Sequence, residues 1–286
     1  MERCGEMKNS KSFMKTCLKG AVLSCFLMNA GLAQAVSLNL TTVPSSGTVN
    51  GGIFSTPANI VSGTGLIDPF LRTQLASGGV ESGYNTDGAL EFDTKAGIWT
   101  HAIQLSDLQT NRITIGGISY YEFVLDINQN SGGPGGVNSL LSLNELEFYV
   151  DGDGSSGGTS TGYPALGTKV WDLDVGPDGD SVIELDYDNF PGSGRLDMFA
   201  LIPTSVFGTN LNQYVYMYNQ FGNPNPANDG FEEWATKLNG VFTPCPPNDV
   251  TCTPGGDPIP EPATVLLFGT GLAGLGLWRW KTTKKA

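Results

Sequence analysis

Two acidic runs carry the residue types and spacing that suit a hard metal ion. One is Asp151-Gly-Asp153-Gly, and the other is Asp172-Leu-Asp174-Val-Gly-Pro-Asp178-Gly-Asp180, with Glu184 beyond. Calcium takes roughly six to eight oxygen ligands, and alternate positions in a tight loop deliver several carboxylates at close range. Neither run is an EF-hand loop. Counted from Asp172, Pro177 stands where that loop needs glycine, and Ile183 stands where it needs its bidentate glutamate. Counted from Asp151, the last ligand position is Gly162. If a calcium ion binds, its set is Asp151, Asp153, Asp172, Asp174, Asp178 and Asp180, meeting at one end of the domain; otherwise no cofactor is expected. Solvated Asp-Gly turns have the same composition, so an ordinary loop stands beside the metal reading.

Other chemistry is sparse. His101 is the only histidine, so a nucleophile–base pair has a single candidate base, and that residue falls in an alternating apolar segment. No nucleophile elbow is present. The Gly-rich stretch at 132–136 lacks the Lys-Ser/Thr of a phosphate loop. Glu91, Glu122, Glu145, Glu147 and Glu184 all fall on predicted strands, which keeps a hydrolase with paired carboxylates open as an alternative. Three of the five cysteines lie at or before Cys25. The remaining two, Cys245 and Cys252, are predicted to close a small disulfide loop in an oxidising compartment. Two thiolates alone make a poor metal site.

The elements that must position these groups read as strands. Residues 111–127 alternate as two strands around a turn at Gly116-Gly117. Residues 140–150, 169–175, 180–188, 195–202 and 213–221 continue the pattern. In the first of these, Leu141, Leu143, Glu145, Glu147 and Tyr149 are expected on one face. In the last, Tyr214, Tyr216 and Tyr218 share a face. Residues 97–105 read as a further strand carrying His101, and 68–75 as one or two helical turns. Residues 230–238 fit either a helix face or a strand. Many short strands broken by Gly, Asp and Pro turns, with no βαβ alternation, predict an all-β, jelly-roll-like β-sandwich.

The two ends differ from this body. Lys8, Lys11, Lys15 and Lys19 precede an apolar stretch at 20–32 and then Ala33-Gln34-Ala35, which reads as a signal peptide over 1–35. A lipoprotein signal ending at Cys25 is the rival, but only a five-residue apolar run precedes that cysteine. The body spans 36–242, and a Pro/Gly-rich linker with the two cysteines spans 243–259. Residues 260–286 open with Pro260-Glu261-Pro262, continue through an apolar run, and end in Arg279, Lys281, Lys284 and Lys285. This order resembles the PEP-CTERM sorting signal of Gram-negative bacteria.

The resemblance implies an exported protein held in the inner membrane by a helix over 263–280 and handled by exosortase. The apolar run is short for a span, which wants about 20 residues. Trp278 and Trp280 at the interface, with Arg279 and Lys281 snorkelling, extend it. The basic cluster places the C-terminus in the cytoplasm by the positive-inside rule. Residues 36–260 hold 25 acidic and 6 basic side chains, a net charge of −19 against −13 for the whole chain. Such a surface disfavours nucleic acid. The expectation is a non-catalytic cell-surface or extracellular-matrix protein, associated through its family with exopolysaccharide and biofilm. A secreted carbohydrate-binding module, using exposed tyrosines such as Tyr163, Tyr187 or the 214–218 row, is the first alternative. The hydrolase is the second.

Overall fold

The computed structural model describes residues 35–58, 67–132, 136–157, 165–174 and 180–237. Among these residues there are fourteen strands. The first seven are β1 (Ser37–Asn39), β2 (Ser46–Val49), β3 (Gly52–Ser55), β4 (Ile67–Thr73), β5 (Glu81–Tyr84), β6 (Ile103–Gln104) and β7 (Arg112–Ile115). The remainder are β8 (Ile118–Asp126), β9 (Leu140–Asp151), β10 (Thr168–Asp172), β11 (Val182–Asp186), β12 (Met198–Pro203), β13 (Tyr214–Phe221) and β14 (Glu232–Lys237). One sheet, here called A, runs β1-β11-β9-β13-β5, with β10 also on β9 and β6 on β13. Sheet B runs β2-β3-β12-β8-β14-β4, with β7 on β8. The chain is all-β, and its helical content among these residues is four short 3-10 turns. No helix among them is long and apolar enough to cross a membrane, and residues 263–280 lie outside them.

The sheets face each other across an aromatic core. Phe148 of β9 is its hub, with ring centroids 4.8 Å from Phe123 of β8, 5.5 Å from Phe207 and 5.9 Å from Trp171. Trp234, Phe54 and Phe70 fill the same layer. Burial of such rings, each removing roughly 150–250 Å² from water, is what holds the two sheets together.

Local chemistry explains most strands. β2 and β3 turn at Asn50-Gly51, both with positive φ (44° and 75°). Asn-Gly is the preferred pair for a two-residue hairpin because its twist matches that of the strands. The hairpin at Gly116-Gly117 forms as expected, pairing Ile115 with Ile118. In β11 the alternation places Ile183 and Leu185 inward, and Tyr187 already opens a 3-10 turn.

Three expectations are corrected and one open reading is resolved. Residues 68–75 are not helical. Residues 67–73 form β4, an edge strand, and a register shift against β14 leaves Phe70 as the extra residue. An edge or a bulge is where a strand tolerates a proline such as Pro69. The predicted strand at 97–105 shrinks to Ile103–Gln104, because Gly97 takes φ 131° and Thr100 N–H turns back onto its carbonyl. The ambiguous 230–238 segment is a strand, paired on both sides, and its Trp234 is fully buried. The even alternation expected along β9 breaks at Asn144. Phe221 pairs with Leu143 and Gln220 with Glu145, so Asn144 is an extra residue. Leu141 and Leu143 before it, and Leu146 and Phe148 after it, therefore all reach the core, and Glu145, Glu147 and Tyr149 turn to the outer face.

Candidate functional site

The bulge in β9 and a second bulge in β10 together assemble a carboxylate cluster on the outer face of sheet A. In β10 the register shifts between Lys169 and Trp171. Trp171 thus joins the core opposite Phe148, whereas Lys169 lies opposite Tyr149 and Asp172 opposite Glu147. Glu145, Glu147 and Asp172 each bring a carboxylate oxygen within 4.8 Å of the others.

Lys169 sits among them. Its Nζ donates to Glu147 Oε1 and to Asp172 Oδ2, both at 2.7 Å. The Tyr149 hydroxyl donates to the other Glu147 oxygen at 2.5 Å. Asp172 Oδ1 accepts from the Asp174 amide at 2.9 Å, and Asp174 Oδ1 accepts from the Ser181 amide at 2.5 Å. Burial pushes the Glu145 carboxyl up to about 7, helped by the charges of Asp174, Glu147 and Asp172. Asp174 is raised for the same reasons, burial first. Burial alone would lower the Lys169 ammonium, but its bonds to Asp172 and Glu147 and their charges hold it above its ordinary value. The arrangement can hold one cation, and in this structure the ammonium is that cation. A metal ion on these three carboxylates would have to displace it.

The acidic run at 151–153 lies elsewhere. The register sets Thr168 beside Val150 and Asp172 beside Glu147, so Asp151 and Asp172 stand at opposite ends of β10, roughly 13 Å apart along the strand. Among the described members of the candidate calcium set, Asp151 and Asp153 form one group, and Asp172 and Asp174 another. Asp180 is exposed. Asp178, Cys245, Cys252, Pro260, Glu261, Pro262, Arg279, Lys281, Lys284 and Lys285 lie outside the described residues.

Asp151 and Asp153 serve their own loop. Asp153 Oδ1 accepts from the Ser155 amide at 2.9 Å and its hydroxyl at 2.7 Å, and the backbone bond, then the hydroxyl, lowers the Asp153 carboxyl. Ser156 donates its hydroxyl to the Asp151 carboxylate and its amide to Tyr216 Oη. Tyr216 in turn donates to the Asp153 carbonyl. The loop is thereby fastened over the tyrosine row. Tyr84, Tyr149, Tyr216 and Tyr218 form a buried cluster with Leu166, and Phe92 packs edge-on against Tyr84 and Tyr218 at 6.1 and 6.0 Å. The row Tyr214, Tyr216 and Tyr218 does share a face, but only Tyr214 is half exposed. Cross-strand packing, rather than an open stacking surface, is its role here.

His101 is half-buried, with Nδ1 3.0 Å from the Ala102 carbonyl, and no carboxylate among the described residues forms an ion pair with it. Glu184 points outward beside Asn39, and Glu122 is fully buried.

Inspection of the sequence missed a second carboxylate pair. Glu81 of β5 and Glu232 of β14 meet between the two sheets, hydrogen-bonded to each other. Glu232 Oε1 accepts from Gln129 Nε2 at 2.6 Å, and Glu81 Oε2 from the Leu75 amide at 2.6 Å. Burial, then the bond to Glu81 and its charge, holds the Glu232 carboxyl well above its ordinary range. Lys169 was also missed. It is the only lysine between Lys95 and Lys237, and that isolation in an acidic body was the available signal.

No curated protein and no solved structure matches the chain. A family model described as the PEP-CTERM protein-sorting motif matches residues 258–281, and no family model matches the body. That motif is the one exosortase recognises, and it implies an exported precursor anchored in the membrane; the chain carries a PEP-CTERM protein-sorting motif at its C-terminal end.

Proposed function

We propose that the body is a non-catalytic, jelly-roll-like sandwich displayed at the cell surface or in the extracellular matrix. Delivery runs through a cleaved signal at 1–35, a membrane helix at 263–280 with its C-terminus in the cytoplasm, and exosortase processing near Pro260-Glu261-Pro262. The observation that carries the reading is the match to the sorting motif at 258–281. The body's chemistry supports it. Of the carboxylates that the fold brings together on its outer face, Glu147 and Asp172 are clamped by Lys169, and the pair between the sheets is buried away from any polymer. Strands that cross from sheet to sheet, as β8 to β9 and β12 to β13 do, support the jelly-roll description. Association with exopolysaccharide follows from the family alone.

Fractionation of cells carrying the full chain, or a chain ending at residue 259, tests the route. The full chain is expected in the inner membrane and then at the surface or in the medium. The truncated chain is expected to bypass the membrane stage. A full-length protein found only in the cytoplasm overturns the reading.

A further inference from the structure

The first strand meets sheet A at an acidic corner. Strand β1 runs parallel to β11, with Ser37 opposite Val182, Leu38 opposite Ile183 and Asn39 opposite Glu184. The Val182 amide donates to the Val36 carbonyl and the Leu40 amide to the Glu184 carbonyl, both at 2.8 Å. Leu40 is fully buried, and Leu38 packs against the core. These contacts fix the chain just ahead of β1, where Ala35 is exposed and Val36 is 37% exposed.

The Val36 N–H donates to Ser181 Oγ at 3.3 Å. Ser181 is buried, and its own amide donates to Asp174 Oδ1 at 2.5 Å. One buried residue thus stands between the Val36 nitrogen and the Asp174 carboxylate and touches both. Asp174 has no cation of its own. Lys169 is engaged with Glu147 and Asp172, and among the described residues Asp174 makes no ion pair. Burial first, then the negative charges of Asp172, Asp180 and Glu147, push its carboxyl up against the pull of the Ser181 amide.

Cleavage after Ala35 turns the Val36 amide into an amine, which is an ammonium at neutral pH. The amide has one N–H, and Ser181 takes it. The ammonium has three, and a full positive charge. Building on the cleaved signal of the proposed function, we propose that the α-ammonium freed at Val36 is the counter-ion of Asp174. It keeps Ser181 Oγ and pairs with the carboxylate beside that residue, latching β1 onto β11 in the processed chain alone. The latch acts where sheet A has least to hold it, since β1 is three residues long and has β11 as its one partner in the sheet. In the uncut chain the same nitrogen is an uncharged amide, and β1 relies on its leucines and backbone bonds. Processing therefore tightens this edge of the body.

The test uses the full chain exported by cells and purified from the membrane or the medium. Mass spectrometry is expected to find Val36 as the first residue, with a free amine. Acetylating that amine near neutral pH, where the more basic lysines react slowly, removes its charge. The melting temperature is expected to fall by on the order of 2–4 °C, the size for a partly exposed pair in a domain of this length. Asp174→Asn keeps an oxygen for the Ser181 amide and removes the charge, so it is expected to fold and to lose most of the response to acetylation. Asp180→Asn is expected to keep the response. Melting that ignores acetylation overturns the latch, as does an equal fall in wild type and Asp174→Asn. A response lost in Asp180→Asn and kept in Asp174→Asn overturns it too, because the ammonium then pairs with the exposed loop. With Val36 found as the first residue, each of these results leaves the export route standing. An exported chain that begins elsewhere overturns the latch and the cleavage after Ala35 together.

Discussion

Replacing Glu232 with glutamine should change how stability depends on pH, by an amount that can be worked out in advance. A hydrogen bond between two carboxyl groups requires that one carry a proton, and burial places it on Glu232. The group's folded pKa is raised above its unfolded value of 4.5. Above pH 4.5 the unfolded chain therefore releases a proton that the folded chain keeps. Stability from this group is fully present below pH 4.5 and is lost as pH rises toward the folded-state value. The loss is about 1.4 kcal/mol per pH unit. Glu232→Gln retains an oxygen for Gln129 Nε2 and presents an amide N–H to Glu81 without titrating. The variant should match wild type near pH 4.5 and gain on it by about 1.4 kcal/mol for each further pH unit over which the folded chain keeps its proton. Each such unit corresponds to roughly 3–6 °C in melting temperature for a domain of this size. Calorimetric melts of both proteins in chelator, at half-unit steps from pH 4.5 to 7.5, measure the difference. Parallel curves, or a wild type that gains on the variant as pH rises, would refute a shared proton between the sheets.

Phe148→Ala removes the hub ring and should cost about 3–5 kcal/mol in urea unfolding, with little change in the secondary structure seen by circular dichroism. Lys169→Met strips the ammonium from Glu147 and Asp172. Because Lys169 is 42% exposed, solvent screening reduces the loss to about 1–2 kcal/mol. Adding Glu147→Gln should recover part of it, and a double-mutant cycle reads the coupling.

Where periodicity and burial act along one strand, the sequence was a good guide. The Gly116-Gly117 hairpin, the inward Ile183 and Leu185, and the tyrosines of β13 all follow from alternation that no bulge interrupts. Where one residue is inserted, the guide fails. Asn144 reverses the expected facing in β9 and Val170 resets β10, and the cluster of Glu145, Glu147, Asp172 and Lys169 exists only because both shifts occur. The β2–β3 hairpin was legible at Asn50-Gly51 but was hidden among neighbouring Gly, Ser and Thr. The pair Glu81–Glu232 joins segments 151 positions apart. Strand order alone brings them together, and alternation within a segment carries no information about strand order. The sorting motif needed no fold at all, since its signal is the order of a polar tripeptide, an apolar run and a basic end.

The position of β14 has a consequence for the timing of export. It is the last strand among the described residues, yet it lies inside sheet B, between β8 and β4. Until residues 232–237 have crossed, β8 and β4 have no shared partner, and each presents an unpaired edge that invites pairing with another molecule. At the other end, β1 finds its partner β11 only 145 residues later. A chain threaded from its N-terminus thus gains few lasting pairings early, because distant segments must meet before contacts repay the closure of long loops. The final strand ends 21 positions before the motif at 258–281 begins. The body can complete its sheets only as the sorting motif itself arrives. A pause of the chain at the membrane would give each molecule time to close its sheet on its own strand rather than on a neighbour's.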